Sequence, residues 1–162
     1  IPGSVIDLRR SLTDKTLKVP HMGWNSLTFN REDEIISGCA DYMKFAACIA
    51  NGGTAKNGYR YLSRATIDLW RTNTLTDEQI ARDFSWNQLA GYGYGYGVRT
   101  MMRPEKAGAL SPKGEFGWGG AAGGWVILDP DNNVALVYTQ HMLNNQEPFI
   151  SPRLRNILYA CL

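Results

Sequence analysis

Apolar residues first recur at helical spacing between Ile36 and Ala50, where Tyr42, Phe45, Ala46 and Ile49 fall at i, i+3, i+4 and i+7. That spacing predicts an amphipathic helix with one face on a core. Asn51-Gly52-Gly53 follows and predicts its end, since glycine closes a helix in the left-handed conformation without strain. Ser63 predicts the cap of a second helix through Trp70, with Ile67 and Trp70 facing inward. Thr76 with Gln79 matches a capping box, and Leu75 with Ile80 matches its hydrophobic staple. A short third helix is therefore expected near Asp77–Arg82.

From Gly91 the period becomes two. Tyr92, Tyr94 and Tyr96 alternate with Gly91, Gly93, Gly95 and Gly97, giving one aromatic face and one bare face on which another segment can pack closely. The alternation predicts one long strand, continued by Val98 to Met102. Further strands are expected at Glu115 to Trp118, Trp125 to Leu128 and Val134 to Gln140. Gly119 to Gly124 turns the chain between two of them, and Asp129-Pro130-Asp131-Asn132 is a strong turn between the last two. A closing helix is expected with Ser151 as N-cap, Pro152 at its first position and Leu154, Ile157, Leu158 and Cys161 on its inner face. The order is helices, then an antiparallel β-meander, then a C-terminal helix. The fold class is α+β.

Residues 1–34 read differently. Val5 to Leu8 fits a short strand, and Lys18 to Asn30, with Pro20, Gly23 and Asn25, fits loop or edge strand. Arg31-Glu32-Asp33-Glu34 is a charged, solvated junction. A segment 1–34 and a domain 35–162 are the expected organisation.

Composition narrows the function classes. The chain has 162 residues, 44% hydrophobic and 20% charged, which fits one folded domain rather than a disordered tail. No apolar run is long enough to span a membrane. Its formal charge of +2 gives no electrostatic reason to expect nucleic acid or an anionic surface as partner. The chain opens on Ile1, which fits a processed or truncated piece, and Ile1 to Lys18 shows no signal-peptide pattern. Cys39, Cys48 and Cys161 form no C-x-x-C pair and are read as small core residues; they fit a reducing, cytoplasmic compartment. No metal site and no cofactor is expected: His21 and His141 make no H-E-x-x-H, and no zinc spacing or phosphate loop occurs.

Candidate chemistry is sparse. No serine begins Ser-x-x-Lys, and none sits in Gly-x-Ser-x-Gly. Tyr61-Leu62-Ser63 fits a Tyr-x-Ser pattern only loosely and precedes a helix cap. The segment with chemical potential is Gly117-Trp118-Gly119-Gly120-Ala121, where a strand edge bare of side chains can offer backbone N–H groups to a carbonyl oxygen.

Several segments, in order, resemble the β-lactamase-related serine hydrolases, a group that includes class C β-lactamases, penicillin-binding-protein-like enzymes and family VIII esterases. They are Ser37 to Phe45, Asn51-Gly52-Gly53, Tyr61-Leu62-Ser63 with Ile67 to Trp70, Gly91 to Val98, Gly114 to Gly123, and Asp129-Pro130 with the Val134–Gln140 strand. The resemblance covers residues 35–162 and implies a partial β-lactamase-like fold. It places Trp118-Gly119-Gly120 at the family's third motif, beside the substrate. It makes the Ala121 N–H half of an oxyanion hole. Trp118 in place of lysine points to esterase-like or peptidase-like members. The family's Ser-x-x-Lys nucleophile and Tyr-x-Asn/Ser base are absent, so the expectation is the C-terminal part of such a hydrolase, inactive alone, with no catalytic residue of its own.

Residues 1–29 resemble another protein. Ile1 to Val5 and Leu17-Lys18-Val19-Pro20-His21-Met22-Gly23-Trp24-Asn25-Ser26-Leu27 are similar to the glutaminase subunit of imidazole glycerol phosphate synthase. In that family the segment lies near the cyclase partner, which makes His21, Trp24 and Asn25 candidate interface residues. The glutaminase cysteine, histidine and glutamate have no counterpart here. A natural fusion, a recombined or mis-assembled reading frame, a deliberate chimera and an unusual hydrolase insertion all remain open for the junction.

The leading expectation is thus a hydrolase fragment whose ligand is a small ester, amide or peptide. One alternative is a non-catalytic module binding peptide or glycan through the Tyr/Gly strand and the Trp118–Trp125 hairpin. Another is a glutamine amidotransferase fragment of histidine biosynthesis. Exposed strand edges of an incomplete sheet also predict self-association.

Overall fold

A computed structural model describes residues 39–84, 86–120, 122–140, 142 and 146–162. The segment 1–34, with His21, Trp24 and Asn25, lies outside the described residues, as do Ala121 and His141. Helix α1 is Cys39–Ala50, α2 is Arg64–Trp70 and α3 is Asp77–Asp83. A 3-10 turn, Asn87–Leu89, leads into β1 (Tyr92–Tyr94) and β2 (Arg99–Met101). Then come the single-turn α4 (Pro104–Ala107), β3 (Phe116–Gly117), β4 (Trp125–Asp129), β5 (Val134–Tyr138) and the closing α5 (Glu147–Ala160). The strands form one sheet in the order β1-β2-β3-β4-β5, every neighbouring pair antiparallel. The α+β class and the meander are as the sequence predicts.

The helix starts follow local chemistry. Ser63 caps α2 by accepting a hydrogen bond from the Thr66 N–H. The capping box on α3 is complete: Thr76 accepts from the Gln79 N–H, and the Gln79 side chain accepts from the Thr76 N–H.

Period-two alternation sorts the sheet into two faces. On one, Phe116, Val126, Leu128, Ala135 and Val137 pack with Ala46 and Ile49 of α1, Ile67 and Trp70 of α2, Phe45, Leu62 and Val98. On the other lie Arg99, Met101, Trp125, Ile127 and Asp129, and α5 reaches this face through Arg155 and Tyr159. Because β4 is covered on both sides, its sequence Trp-Val-Ile-Leu is apolar without interruption.

Three expectations require correction. The Tyr/Gly stretch is not one strand. It turns at Gly95–Val98 and returns as β2, pairing Tyr92 with Met101 and Tyr94 with Arg99. The Gly95 N–H donates to the Val98 carbonyl, and Gly97 takes a φ of 78° that other residues rarely adopt. Tyr96 is locked to the end of α2 reciprocally: its N–H donates to the Trp70 carbonyl, and the Trp70 indole donates to the Tyr96 carbonyl. The closing helix begins four residues before Ser151, with Pro148 in its first turn and Pro152 inside it. Its inward residues are Ser151 and Arg155, while Ile157 and Cys161 are exposed, because the inner face meets polar partners rather than a purely apolar core. Of the three cysteines only Cys48 is buried; Cys39 and Cys161 are exposed, and all three are free thiols.

The bare face of the Tyr/Gly stretch is used as the sequence predicts. A Cβ at Gly95 would lie 2.4 Å from the Trp70 carbonyl oxygen, whereas one at Gly120 would meet nothing within 4 Å. Gly95→Ala is therefore expected to cost about 1–3 kcal/mol through backbone displacement. Gly120→Ala should stay within about 0.5 kcal/mol of the parent. Urea midpoints of the two variants test this contrast.

One surface cluster gives the fold an acid limb. Asp131, in the turn before β5, pairs with Arg64 and with Arg71, the latter at 2.7 Å, and Arg71 also holds Asp68 and the Gly114 carbonyl. Arg71's hydrogen bond, followed by Arg64's and opposed by partial burial, holds the Asp131 carboxyl below the usual aspartate range. A carboxyl depressed in the folded state stabilises it above the unfolded-state value, near about 4, and that contribution is lost as pH falls through the folded value. Asp131→Asn should flatten the fall of the melting temperature below about pH 4. At neutral pH it should cost less than about 1 kcal/mol, since Asp131 itself and its partner Arg64 are nearly half exposed.

Candidate functional site

The region singled out in sequence begins where β3 ends. Gly117 has a φ of 151°, and a Cβ there would sit 2.1 Å from the Val126 carbonyl oxygen, so only glycine lets β3 approach β4 at this point. Beyond it the chain stays paired. The Val126 N–H donates to the Trp118 carbonyl and the Gly120 N–H donates to the Gly124 carbonyl, each close to 2.9 Å or shorter. Gly119 faces Trp125 between these two bonds. That is the non-hydrogen-bonded position of an antiparallel pair, so the N–H and C=O of Gly119 point away from β4. The register of β2 with β3 ends at Gly117, so no described strand pairs with Gly119 on that side. The Gly120 N–H, by contrast, is taken up inside the turn.

Trp118 is 39% exposed and does not fold back onto the core. Its ring lies 5.3 Å from Tyr94 at 74° and 6.3 Å from Phe84 at 36°, and Phe84 and Tyr94 are 5.5 Å apart. Three aromatic rings from the end of α3, from β1 and from the edge of β3 thus meet beside Gly119. Tyr94 belongs to the Tyr/Gly stretch that the sequence offers as a binding surface, whereas no local motif marks Phe84; the fold brings both rings to Trp118.

Beneath the edge lies a buried polar network. Arg99 and Glu115 are fully buried and pair at 3.3 Å. The same Arg99 nitrogen donates to the Val126 carbonyl at 2.9 Å, and the guanidinium stacks 3.6 Å over the Trp125 ring. The other Glu115 oxygen accepts from the Tyr92 hydroxyl at 2.6 Å and from Ser111 at 3.3 Å. Arg155 donates to the Tyr92 hydroxyl and to the Ala107 carbonyl. Burial, with the Glu115 charge, pushes the Tyr92 phenol up to about 12. The Tyr159 phenol, which donates to Asp129, is also raised, chiefly by burial. Glu147, at the start of α5, comes up under Gly119: its Oε1 is 2.8 Å from where a Cβ on Gly119 would be. Burial raises the Glu147 carboxyl and the Arg99 charge partly offsets this. Nothing at the sequence level marked Arg99, Glu115 or Glu147, since a charged residue in a strand reads as solvated.

Among the described residues no group of three or more His, Cys, Asp and Glu side chains is placed to hold a metal, and no helix is long and apolar enough to cross a membrane. The structure brings Trp118, Gly119 and Gly120 together at one strand end.

The Beta-lactamase family pattern matches residues 10–159, nearly the whole chain. The chain belongs to the β-lactamase family. The match extends across Arg31–Glu34, so the family assignment draws on residues on both sides of that junction. Two curated relatives from Mycobacterium tuberculosis, Protein Rv1367c of strain ATCC 25618 / H37Rv and Uncharacterized protein MT1414 of strain CDC 1551 / Oshkosh, are each 34% identical over 102 residues. That alignment covers 60% of this chain and 25% of each relative, so the chain matches about a quarter of their length. Among solved structures, EstCE1, described as a hydrolase with promiscuous acyltransferase activity, shares the fold with a TM-score of 0.62 at 16% identity. The superposition covers 88% of this chain and 38% of EstCE1.

The network under this strand edge carries a direct prediction. Glu115→Gln leaves Arg99 charged and buried, and is expected to cost about 3–5 kcal/mol. Replacing both, as Arg99→Met with Glu115→Gln, should recover at least half of that loss, because an apolar side chain then fills the site. Guanidinium melts of the single and double variants read both numbers.

Proposed function

We propose that this chain is the C-terminal part of a serine hydrolase of the β-lactamase family, acting on esters, amides or peptides through an acyl-serine. On this reading the Trp118-Gly119-Gly120-Ala121 edge flanks the acyl group of the substrate. The observation that carries it is the outward-facing backbone of Gly119, on a strand end left open beside three aromatic rings. A carbonyl carbon under attack develops negative charge on its oxygen, and rigid backbone N–H groups stabilise that charge without reorganising. By the family resemblance the Ala121 N–H supplies half of this hole. The buried Arg99 network supports the reading further, since it braces Val126 and Trp125 on the strand that holds Trp118 and Gly119 in place.

The acyl step itself needs a nucleophile with an adjacent base. No Ser-x-x-Lys occurs in the 162 residues. The serine and lysine would come from sequence that this chain does not contain, and the chain alone would not turn over. Its match to only a quarter of the Mycobacterium relatives fits this division.

A second reading rests on the same open edge. An unpaired strand end with a partly exposed tryptophan also suits a non-catalytic module that holds a peptide by edge pairing or a glycan by stacking.

A fluorophosphonate probe separates inert from active. The purified 162-residue chain should show no labelling above its heat-denatured control, beside a known serine esterase that labels fully. Stoichiometric labelling of the native chain would overturn the assignment of the nucleophile to another segment.

A further inference from the structure

We infer that the Phe84–Tyr94–Trp118 cluster is a binding subsite for an uncharged apolar group, such as the aryl or branched alkyl part of an ester or amide. The inference rests on the reading that substrate lies along the Trp118 edge, and it adds the class of group that the edge selects.

Four observations point the same way. First, the Trp118 ring is placed by structure rather than by chance: its backbone carbonyl is fixed by the Val126 N–H, and its ring is held edge-on by Tyr94. Second, the cluster is pre-assembled. All three ring pairs are 5.3 to 6.3 Å apart, the range in which offset and edge-to-face contacts stabilise one another. A ligand therefore meets an ordered surface and loses little freedom in arranging it. Third, none of the cation–ring contacts among the described residues falls on the cluster; they fall on Tyr92, Trp125 and Phe149. The nearby guanidinium, Arg99, has no exposed surface with which to meet a ligand's carboxylate. Fourth, there is room. Beside the indole, Gly120 has nothing within 4 Å of its missing Cβ, so the strand end offers backbone and open space on one side and aromatic carbon on the other.

Such a surface takes up a phenyl ring or a branched alkyl group by apolar burial and ring contact, and offers an anionic group no counter-charge for its lost hydration. A glycan would stack on the indole but would also need several polar side chains for its hydroxyl groups, and the three rings themselves supply only the Tyr94 hydroxyl and the Trp118 indole N–H.

The test uses the full chain and hydrolytically stable probes. N-methyl-phenylacetamide is the neutral aryl probe, phenylacetate its anionic counterpart, and chitotriose the glycan. Indole N–H resonances are followed in the nitrogen-15 spectrum, with the Trp118 signal assigned from Trp118→Phe. The neutral amide should shift the Trp118 resonance saturably. Phenylacetate should bind at least about tenfold more weakly, a difference of about 1.4 kcal/mol. Phe84→Leu should weaken the amide by about three- to tenfold while keeping the parent melting temperature, which removes an aromatic contact without removing the apolar side chain. A Trp118 signal that the amide does not move, that phenylacetate moves with equal affinity, or that chitotriose moves more strongly would overturn the inference. None of these outcomes depends on a serine, so the binding experiment and the fluorophosphonate experiment fail independently.

Discussion

A guanidinium with no exposed surface has to be neutralised, hydrogen-bonded and stacked where it lies, and one whole face of the sheet is arranged around that requirement. Arg99 meets Glu115 for charge, the Val126 carbonyl for a hydrogen bond, and the Trp125 ring for its flat face. Arg99 sits on β2, and its partners come from two other segments, the approach to β3 (Glu115) and β4 (Trp125 and Val126). Glu115 in turn needs Tyr92 and Ser111, and Tyr92 needs Arg155 from α5. The network therefore ties the sheet to its last helix by polar contacts, while α1 and α2 hold the other face by apolar ones. An apolar core of that kind tolerates exchange of one aliphatic side chain for another. A chain of buried charges does not, because losing one member strands the next.

That asymmetry explains which parts of the fold could be read from sequence. Helix α2 and helix α3 were legible because their caps are local: Ser63 with Thr66, and Thr76 with Gln79, lie three residues apart. The last turn was legible for the same reason, since the Asp129 carboxylate accepts from the N–H groups of Asp131 and Asn132. The β1–β2 hairpin was not, because Gly-Tyr alternation continues unchanged through the turn. What bends the chain there is the Tyr96 bond to Trp70, a partner from α2. The inner face of α5 was missed because periodicity treats arginine as an outward residue, and Arg155 faces in only because Tyr92 and Ala107 wait for it.

The candidate site divides along the same line. Trp118, Gly119 and Gly120 stand out in sequence because glycines around a tryptophan at a strand end are an unusual grouping. Phe84 carries no such mark and Tyr94 is marked only as one ring of the Tyr/Gly stretch, yet both pack against the indole. Arg99, Glu115 and Glu147 are further hidden, since a single charged letter in a strand or at a helix start gives no sign of burial. Motif reading therefore finds the backbone of the proposed edge. It misses the side chains that set the chemistry of the walls, which are assembled from distant segments.

Two kinds of surface meet at the strand end, and their combination constrains what the edge can do. The backbone side is polar but uncharged, with Gly119 directed outward and Gly120 turned in to Gly124. The side-chain side is aromatic. The nearby positive charge is held below, shared between Glu115, Val126 and Trp125, and does not reach solvent. A lysine at position 118 would place a mobile cation where the indole now lies, and would have to find its counter-ion in the ligand. The indole makes no such demand. On the proposed reading, an edge built this way would orient a carbonyl group by backbone contact and hold its neighbour by apolar contact, which makes shape and polarity, rather than net charge, the basis of selection.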